Sequence, residues 1–131
     1  MQKYFKKIIA QNPEDLKIIS ALCSEAEVNQ KNIKFLKKNK IFLMPLVRID
    51  RENTDKINYI NSMLKFEYIS VSKSKNINQD DSENILKLML IDVLKRGNYL
   101  DFFLIFDKNK IITLTGEVTE VILEDLKQVD D

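Results

Sequence analysis

Glu117 and Glu120, with Glu124-Asp125 just beyond them, come nearest in this chain to an acid/base pair. Two carboxyl groups held in different surroundings can divide the donating and accepting of a proton between them. Asn78-Gln79-Asp80-Asp81-Ser82-Glu83 offers a second cluster, of oxygen ligands suited to a hard cation such as Mg²⁺. It lacks the glycine and the closing glutamate of an EF-hand loop. Each cluster has a plainer reading that outweighs the chemical one. The glutamates suit outward-facing positions on an edge strand or helix, and the Asp80-Asp81 segment suits a solvated turn. Arg48 and Glu52 complete the set, because they end the most apolar strand in the sequence and are placed to pair at its rim. A structural ion pair is the preferred reading there too. The binding candidates are therefore Arg48, Glu52, Glu117 and Glu120, and no residue is assigned a catalytic or metal-ligating role.

The residues that are missing narrow the chemistry further. With no histidine, Ser-His-Asp and Cys-His nucleophile systems are absent, as are zinc sites with imidazole ligands. The single cysteine, Cys23, falls on the apolar stripe of a helix with no base near it in sequence, which marks a small core residue rather than a nucleophile. Gly97 and Gly116 are the only glycines, too few for a P-loop or a dinucleotide fingerprint. No cofactor is implied. Lys3, Lys6 and Lys7, then Lys31, Lys34, Lys37, Lys38 and Lys40, offer a basic patch for weak binding to anionic surfaces. Only three arginines accompany them, without a helix-turn-helix, zinc-finger or RNP-type signature, so specific nucleic-acid binding is not expected. Guarding exposed strand edges is the preferred use of these lysines.

A chain of 131 residues suits one domain, with a core large enough to need no disulfide or structural metal. It is 44% hydrophobic and 31% charged, with apolar residues in short periodic clusters, the profile of a folded soluble protein. The charged N-terminus lacks the apolar core of a signal peptide, and no apolar run nears the roughly 20 residues of a membrane helix. A cytoplasmic location is expected, in keeping with the lone cysteine. Residues 1–77 hold 15 basic and 8 acidic side chains, and residues 78–131 hold 6 and 12. Interleaved strands would pair these charges across a sheet, and that arrangement is favoured over a molecular dipole.

The elements that must position these groups read mostly as strands. Ile33–Asp50 places two apolar runs around Lys37-Lys38-Asn39-Lys40, a hairpin turning at Lys38-Asn39. That register sets Phe35 opposite Phe42, Ile33 opposite Met44, and Leu36 opposite Ile41. Its second strand, Ile41–Ile49, is apolar on both faces, so each side needs cover, and Pro45 calls for a bulge or an unpaired N–H position. Residues 3–9 read as a first strand. Asn12-Pro13-Glu14-Asp15 caps a helix over about 13–23, and Ala26–Asn29 reads as a short strand. Ile57–Asn61 and Leu64–Val71 suggest a hairpin turning near Ser62, and Ser72–Gln79 a loop. Ile85–Leu94 is taken as a strand because of its length and β-branched residues, although a helix fits its pattern as well. Arg96-Gly97-Asn98 is a turn. Leu100–Phe106 and Lys110–Val118 form a hairpin at Lys108-Asn109, pairing Phe106 with Ile111 and Phe103 with Leu114. The segment 117–126 is open between strand and helix.

QNPEDLKIISALCSEAEV, the strand ending in VRIDRE, LKFEYISV, and GEVTEVILEDL, in that order, resemble a family of short alphaproteobacterial proteins catalogued as a domain of unknown function, family 2948. The resemblance runs nearly the full length of the chain. Its markers are Glu14-Asp15-Leu16, Arg48 with Glu52, Leu64 with Phe66, and Leu123-Glu124-Asp125-Leu126. None of these is a chemical motif, so the likeness implies kinship without an activity. Pro45 and the Lys108-Asn109 turn depart from the family pattern.

Together these readings predict an α+β fold, mainly an antiparallel β sandwich or partly open barrel, pleckstrin-homology-like in one version, with one N-terminal helix. The leading function is a non-catalytic cytoplasmic interaction module that presents a sheet edge or groove to a protein or peptide, with homodimerisation part of the same reading. A small-ligand-binding protein or enzyme using carboxylate and lysine chemistry is the alternative. The sequence leans against an enzyme.

Overall fold

A computed structural model describes residues 6–51 and 57–129. Among the described residues ten strands and one α-helix follow the order β1 (Lys7–Ala10), α1 (Pro13–Leu22), β2 (Ala26–Asn29), β3 (Lys34–Leu36), β4 (Ile41–Ile49), β5 (Tyr59–Phe66), β6 (Ile69–Lys75), β7 (Ile85–Arg96), β8 (Tyr99–Phe106), β9 (Ile111–Gly116) and β10 (Val121–Gln128). All pairings are antiparallel, and the strands form one sheet in the order β1-β10-β5-β4-β2-β7-β8-β9-β6, with β3 added to β4. The sheet is not closed into a barrel, and the fold is the expected α+β class. The segment 117–126 ends as strand β10, not as a helix.

Helix α1 starts where its cap demands. The Asn12 side chain accepts from the Asp15 N–H at 2.9 Å, Pro13 occupies the first turn, and Glu14 and Asp15 face the positive end of the helix dipole. Leu16, Ile19 and Cys23 are buried against the sheet, so the cysteine is the core residue its position indicated. The core is built from alternate strand positions. Phe42, Met44 and Leu46 of β4 meet Leu64 and Phe66 of β5, and Phe102, Leu104 and Phe106 of β8 meet Ile112 and Leu114 of β9. The Phe66 ring stands edge-on to Phe42 and Phe102, linking the two halves of the sheet.

The first hairpin has the expected pairs Phe35–Phe42 and Leu36–Ile41. Lys40, not Asn39, takes the left-handed conformation (φ 59°), and Ile33 follows a 3₁₀ turn (Gln30–Asn32) outside the strand, so it has no ladder partner in Met44. Pro45 causes no bulge. It keeps regular register with Met63 of β5, while β3 reaches only to Leu43 and β2 meets β4 at Val47. Pro45 thus lies in a gap along that edge of β4, where a missing N–H is tolerated. The outward residues Leu43, Pro45, Val47 and Ile49 are half-buried, less covered than the inward ones.

Three further sequence expectations are corrected. No turn occurs at Ser62, because β5 runs unbroken from Tyr59 to Phe66 with Ser62 buried inside it. The chain turns instead at Glu67-Tyr68, and β6 then crosses to pair with β9 rather than β5. In the last hairpin the register is one residue off the expected one, with Ile105 opposite Ile111 and Phe102 opposite Leu114. Phe106 N–H donates to the Lys110 carbonyl at 2.8 Å, so Asp107–Asn109 is a three-residue loop, and Lys108 and Asn109 both carry φ of 60°. An odd loop length moves every side chain to the other face, which sends Phe102, Leu104 and Phe106 inward. Of the expected loop 72–79, residues 72–75 belong to β6. The first strand is seen over Lys7–Ala10, and residues 3–5 lie outside the described residues.

The basic and acidic halves interleave. Lys7 pairs with Glu124 at 3.7 Å, Lys31 with Glu83 at 3.7 Å, and Arg48 with Asp125 at 2.7 Å.

Candidate functional site

Arg48 lies inside the protein rather than at a rim. It follows Phe42, Met44 and Leu46 on the inward face of β4, and its guanidinium meets Asp125 of β10 two strands away. Nε donates to Oδ1 at 2.9 Å and Nη2 to Oδ2 at 2.7 Å, a two-pronged pair. Ser62, on the intervening strand β5, donates its hydroxyl to Oδ1 at 2.7 Å, and the Lys6 N–H donates to Oδ2 at 3.2 Å. The sheet itself aims this carboxylate. The register between β10 and β5 shifts between Asp125 and Lys127, and this bulge leaves Leu126 exposed while Asp125 stays buried. Glu52, expected as the partner of Arg48, lies outside the described residues.

The electrostatics are those of a satisfied buried pair. Burial is the largest influence on Asp125 and pushes its pKa up, but the hydrogen bonds from Arg48 and Ser62, the nearby positive charge and the Lys6 N–H together hold the carboxyl below its ordinary range. Cys23 lies close enough to feel both charges. Burial dominates there and pushes the thiol up to about 12, with Arg48 lowering it and Asp125 raising it. Such a thiol is not a nucleophile at neutral pH. With Arg48 and Asp125 each 1% exposed, no substrate reaches the pair, and what the arrangement does is lock β1, β4, β5 and β10 together.

The glutamates separate. Glu117 is exposed in the connection between β9 and β10. Glu120 meets Glu67, a residue without any mark in the sequence, across the corner where β5 turns toward β6. Their carboxyls share a hydrogen bond that raises the Glu67 pKa and lowers that of Glu120. Gln11 donates to Glu120 at 3.2 Å, and Lys65 stands 3.8 Å from Glu67. The two carboxyls are therefore pushed apart in proton affinity, as in an acid/base couple. The pair lines none of the main cavities among the described residues, however. Asp80 and Asp81 sit in an exposed turn closed by Asp81 N–H to the Asn78 carbonyl at 3.1 Å. Among the described residues no group of three or more Cys, Asp or Glu is placed to hold a metal ion.

One concave site lies where the sheet fails to close. Among the described strands β3 pairs only with β4, and β6 only with β9. Ile69 N–H donates to the Lys40 carbonyl at 2.8 Å, joining the start of β6 to the end of the first hairpin. Beyond that bond the two strands part around a groove of about 430 Å³. Ile33, Phe35, Phe42, Ile77 and Ile112 supply its apolar surface, and Gln30, Ser72, Ser74 and Gln79 its polar groups. Gln79 Nε2 donates to Ser74 Oγ at 2.9 Å, and Gln30 Nε2 donates to the Asn78 carbonyl at 2.7 Å. Gln30 Oε1 is buried and has no hydrogen-bond partner among the described residues. An unmatched buried acceptor costs about 1–3 kcal/mol. Nothing in the primary structure marks Gln30, since the groove forms only once β3, β6 and the 76–84 loop converge.

The fold and these sites define an α+β protein whose single open sheet is pinned by a buried ion pair and split along one seam. Residues 6–131 match the model of the family described as a protein of unknown function (DUF2948), and the chain belongs to that family. No curated protein and no solved structure matches it.

Proposed function

We propose that the protein is a non-catalytic interaction module that takes an extended polypeptide segment into the seam between β3 and β6. The observation that carries this reading is Gln30 Oε1, a buried acceptor without a hydrogen-bond partner among the described residues, beside a partly apolar groove between two strands that each have one partner strand among those residues. An added strand would supply N–H and C=O groups to the open edge of β6, and its alternate side chains would rest on Phe35, Phe42 and Ile112. Charge supports a direction. Lys37, Lys38 and Lys40 stand at the Ile69 end of the seam, and Asp80, Asp81 and Glu83 follow Gln79 at the other. A segment with acids toward the lysine turn and basic residues toward the 80–83 loop fits best. The reading places the module in the cytoplasm, supported by a single buried free thiol. Among the described residues no helix is long and apolar enough to cross a membrane.

The test is selection of a displayed random-peptide library on the wild-type protein, followed by rescreening on Ser72→Arg and Ser74→Arg, which fill the groove. Enriched peptides should lose affinity by at least about tenfold on both variants. They should also slow amide hydrogen exchange across residues 70–75. Failure to enrich any peptide, or ligands that bind the filled variants equally well, would defeat the proposal.

A further inference from the structure

The outer face of β7, β8, β9 and β6 has a surface that an antiparallel sheet facing water does not ordinarily show. Its residues fall in three rows set by the strand registers. Leu90, Ile105, Ile111 and Lys75 form the first, Asp92, Phe103, Thr113 and Lys73 the second, and Leu94, Asp101, Thr115 and Val71 the third. Leu90 and Leu94 are 46% and 60% exposed, and Val71 and the neighbouring Tyr99 are exposed too. A bulge at Met89 produces this arrangement. Before it Leu86 and Leu88 point inward, and after it Ile91 does, which leaves Leu90 and Leu94 outside. Asp92 on β7 and Lys73 on β6 stand at the two ends of the middle row, Lys75 ends the first, and Asp101 lies within the third.

We propose that this face is an isologous interface for a second copy of the chain, with the two-fold axis running along the strands between β8 and β9. Neighbouring strands are about 4.8 Å apart, so Asp92 and Lys73 sit about 7 Å to either side of that axis. Rotation about it lays Asp92 of each protomer over Lys73 of its partner, Phe103 over Thr113, and Ile105 over Ile111. The middle row is thus self-complementary in charge, while Ile105 over Ile111 and Leu94 over Val71 supply apolar contact on either side of it. Asp92 also accepts from its own Val93 N–H at 2.8 Å, and Lys73 lies in the field of Asp101, whose carboxylate is held by Arg96 and Thr115. Neither charge has a salt-bridge partner among the described residues. This interface is independent of the seam, because Lys73 points to the opposite side of β6 from Ser72 and Ser74, which line the groove.

Sedimentation velocity over a concentration series tests the proposal with wild type, D92K, K73D and an equal mixture of the two variants. Wild type should dimerise with a dissociation constant in about the micromolar range, and each variant alone should dimerise at least about tenfold more weakly. The mixture should recover wild-type association, because each variant then meets its opposite charge at both ends of the row. Ser72→Arg, which fills the seam, should leave dimerisation unchanged. A monomeric wild type, variants that associate as wild type does, or a mixture that fails to recover would each overturn the interface. Circular dichroism of the variants, mutated at exposed positions, should match wild type, and a lost sheet signal would likewise count against the assignment of these side chains to the surface.

Discussion

Arg48 and Asp125, 77 residues apart in sequence, meet through two hydrogen bonds of 2.9 and 2.7 Å at the centre of a four-strand section of the sheet. The pair is satisfied on several sides, by the Ser62 hydroxyl, the Lys6 N–H and the Ile49 carbonyl. Removing Asp125 takes away the carboxylate that both prongs of the buried guanidinium bind. Asp125→Ala should therefore destabilise the protein by about 3–5 kcal/mol. Replacing both charges, as in Arg48→Met with Asp125→Leu, should recover most of that loss, since no uncompensated charge remains. Urea unfolding of the three proteins checks both statements. A double variant no more stable than Asp125→Ala would mean that these side chains hold the strands by more than their mutual charge.

The same pair sets an acid limit. The Asp125 carboxyl is held below its ordinary range in the folded state, against about 3.9 in an unfolded chain. Between those values the unfolded state binds more protons, so stability rises with pH there. The contribution is fully present above the unfolded value and is lost as pH falls through the folded one. Unfolding free energies measured from about pH 6 down to pH 2 should fall less steeply below pH 4 for the Arg48→Met, Asp125→Leu double variant than for wild type. Equal slopes would assign the acid sensitivity to other carboxylates.

Glu67 and Glu120 shift each other's proton affinity in opposite directions at the corner between β5 and β6. Their mutual hydrogen bond is the leading cause of both shifts, raising Glu67 and lowering Glu120, while Lys65 pulls both downward. Carboxyl-carbon NMR titration should find Glu67 losing its proton at higher pH than Glu120. Glu120→Gln should lower the Glu67 midpoint toward the ordinary glutamate range, because the charged acceptor that favours its protonated form is gone. A Glu67 midpoint unmoved by that substitution would rule out Glu120 as the cause of its shift.

Much of this was readable from alternation in the chain. Phe42, Met44, Leu46 and Arg48 share one face of β4, and Val121, Leu123 and Asp125 share one face of β10, so both buried charges stand at positions where an apolar residue is the rule. What the sequence could not show is that β10 lies beside β5, which brings those two faces together. Ser62 looked like a turn because its hydroxyl had no visible partner, and its partner is Asp125, 63 residues on. Ile85–Leu94 was ambiguous because the Met89 bulge changes which residues face inward halfway along, breaking the period of two. The last hairpin slipped by one residue because Lys108 and Asn109 take left-handed conformations without a glycine to announce the three-residue loop. The seam was the least legible part, since Gln30, Phe35, Ser72 and Ile112 come from four separate segments.

The corner that starts the seam depends on a close approach of two backbones. Gly116, at the end of β9, stands beside Ile69 and Leu100 in the ladder, and a methyl group on its α-carbon would press into the carbonyl oxygen of Tyr68 and crowd the Ile69 side chain. Tyr68 is itself held at φ 60°, so its backbone has little freedom to move aside. Gly116→Ala should therefore destabilise the fold by about 1–3 kcal/mol through overpacking. Gly97, at the tip of the β7–β8 turn with φ 63°, has open space where an added methyl would stand, so Gly97→Ala should cost only the conformational strain of about 1 kcal/mol. Thermal unfolding of the two variants side by side separates a packing demand from a dihedral one. The Gly116 variant should also exchange its Ile69 amide faster, because that N–H is bonded to Lys40 across the seam. Equal losses in the two variants, with the Ile69 amide still protected, would show that the backbones have room to part and that Gly116 serves only as an ordinary strand end.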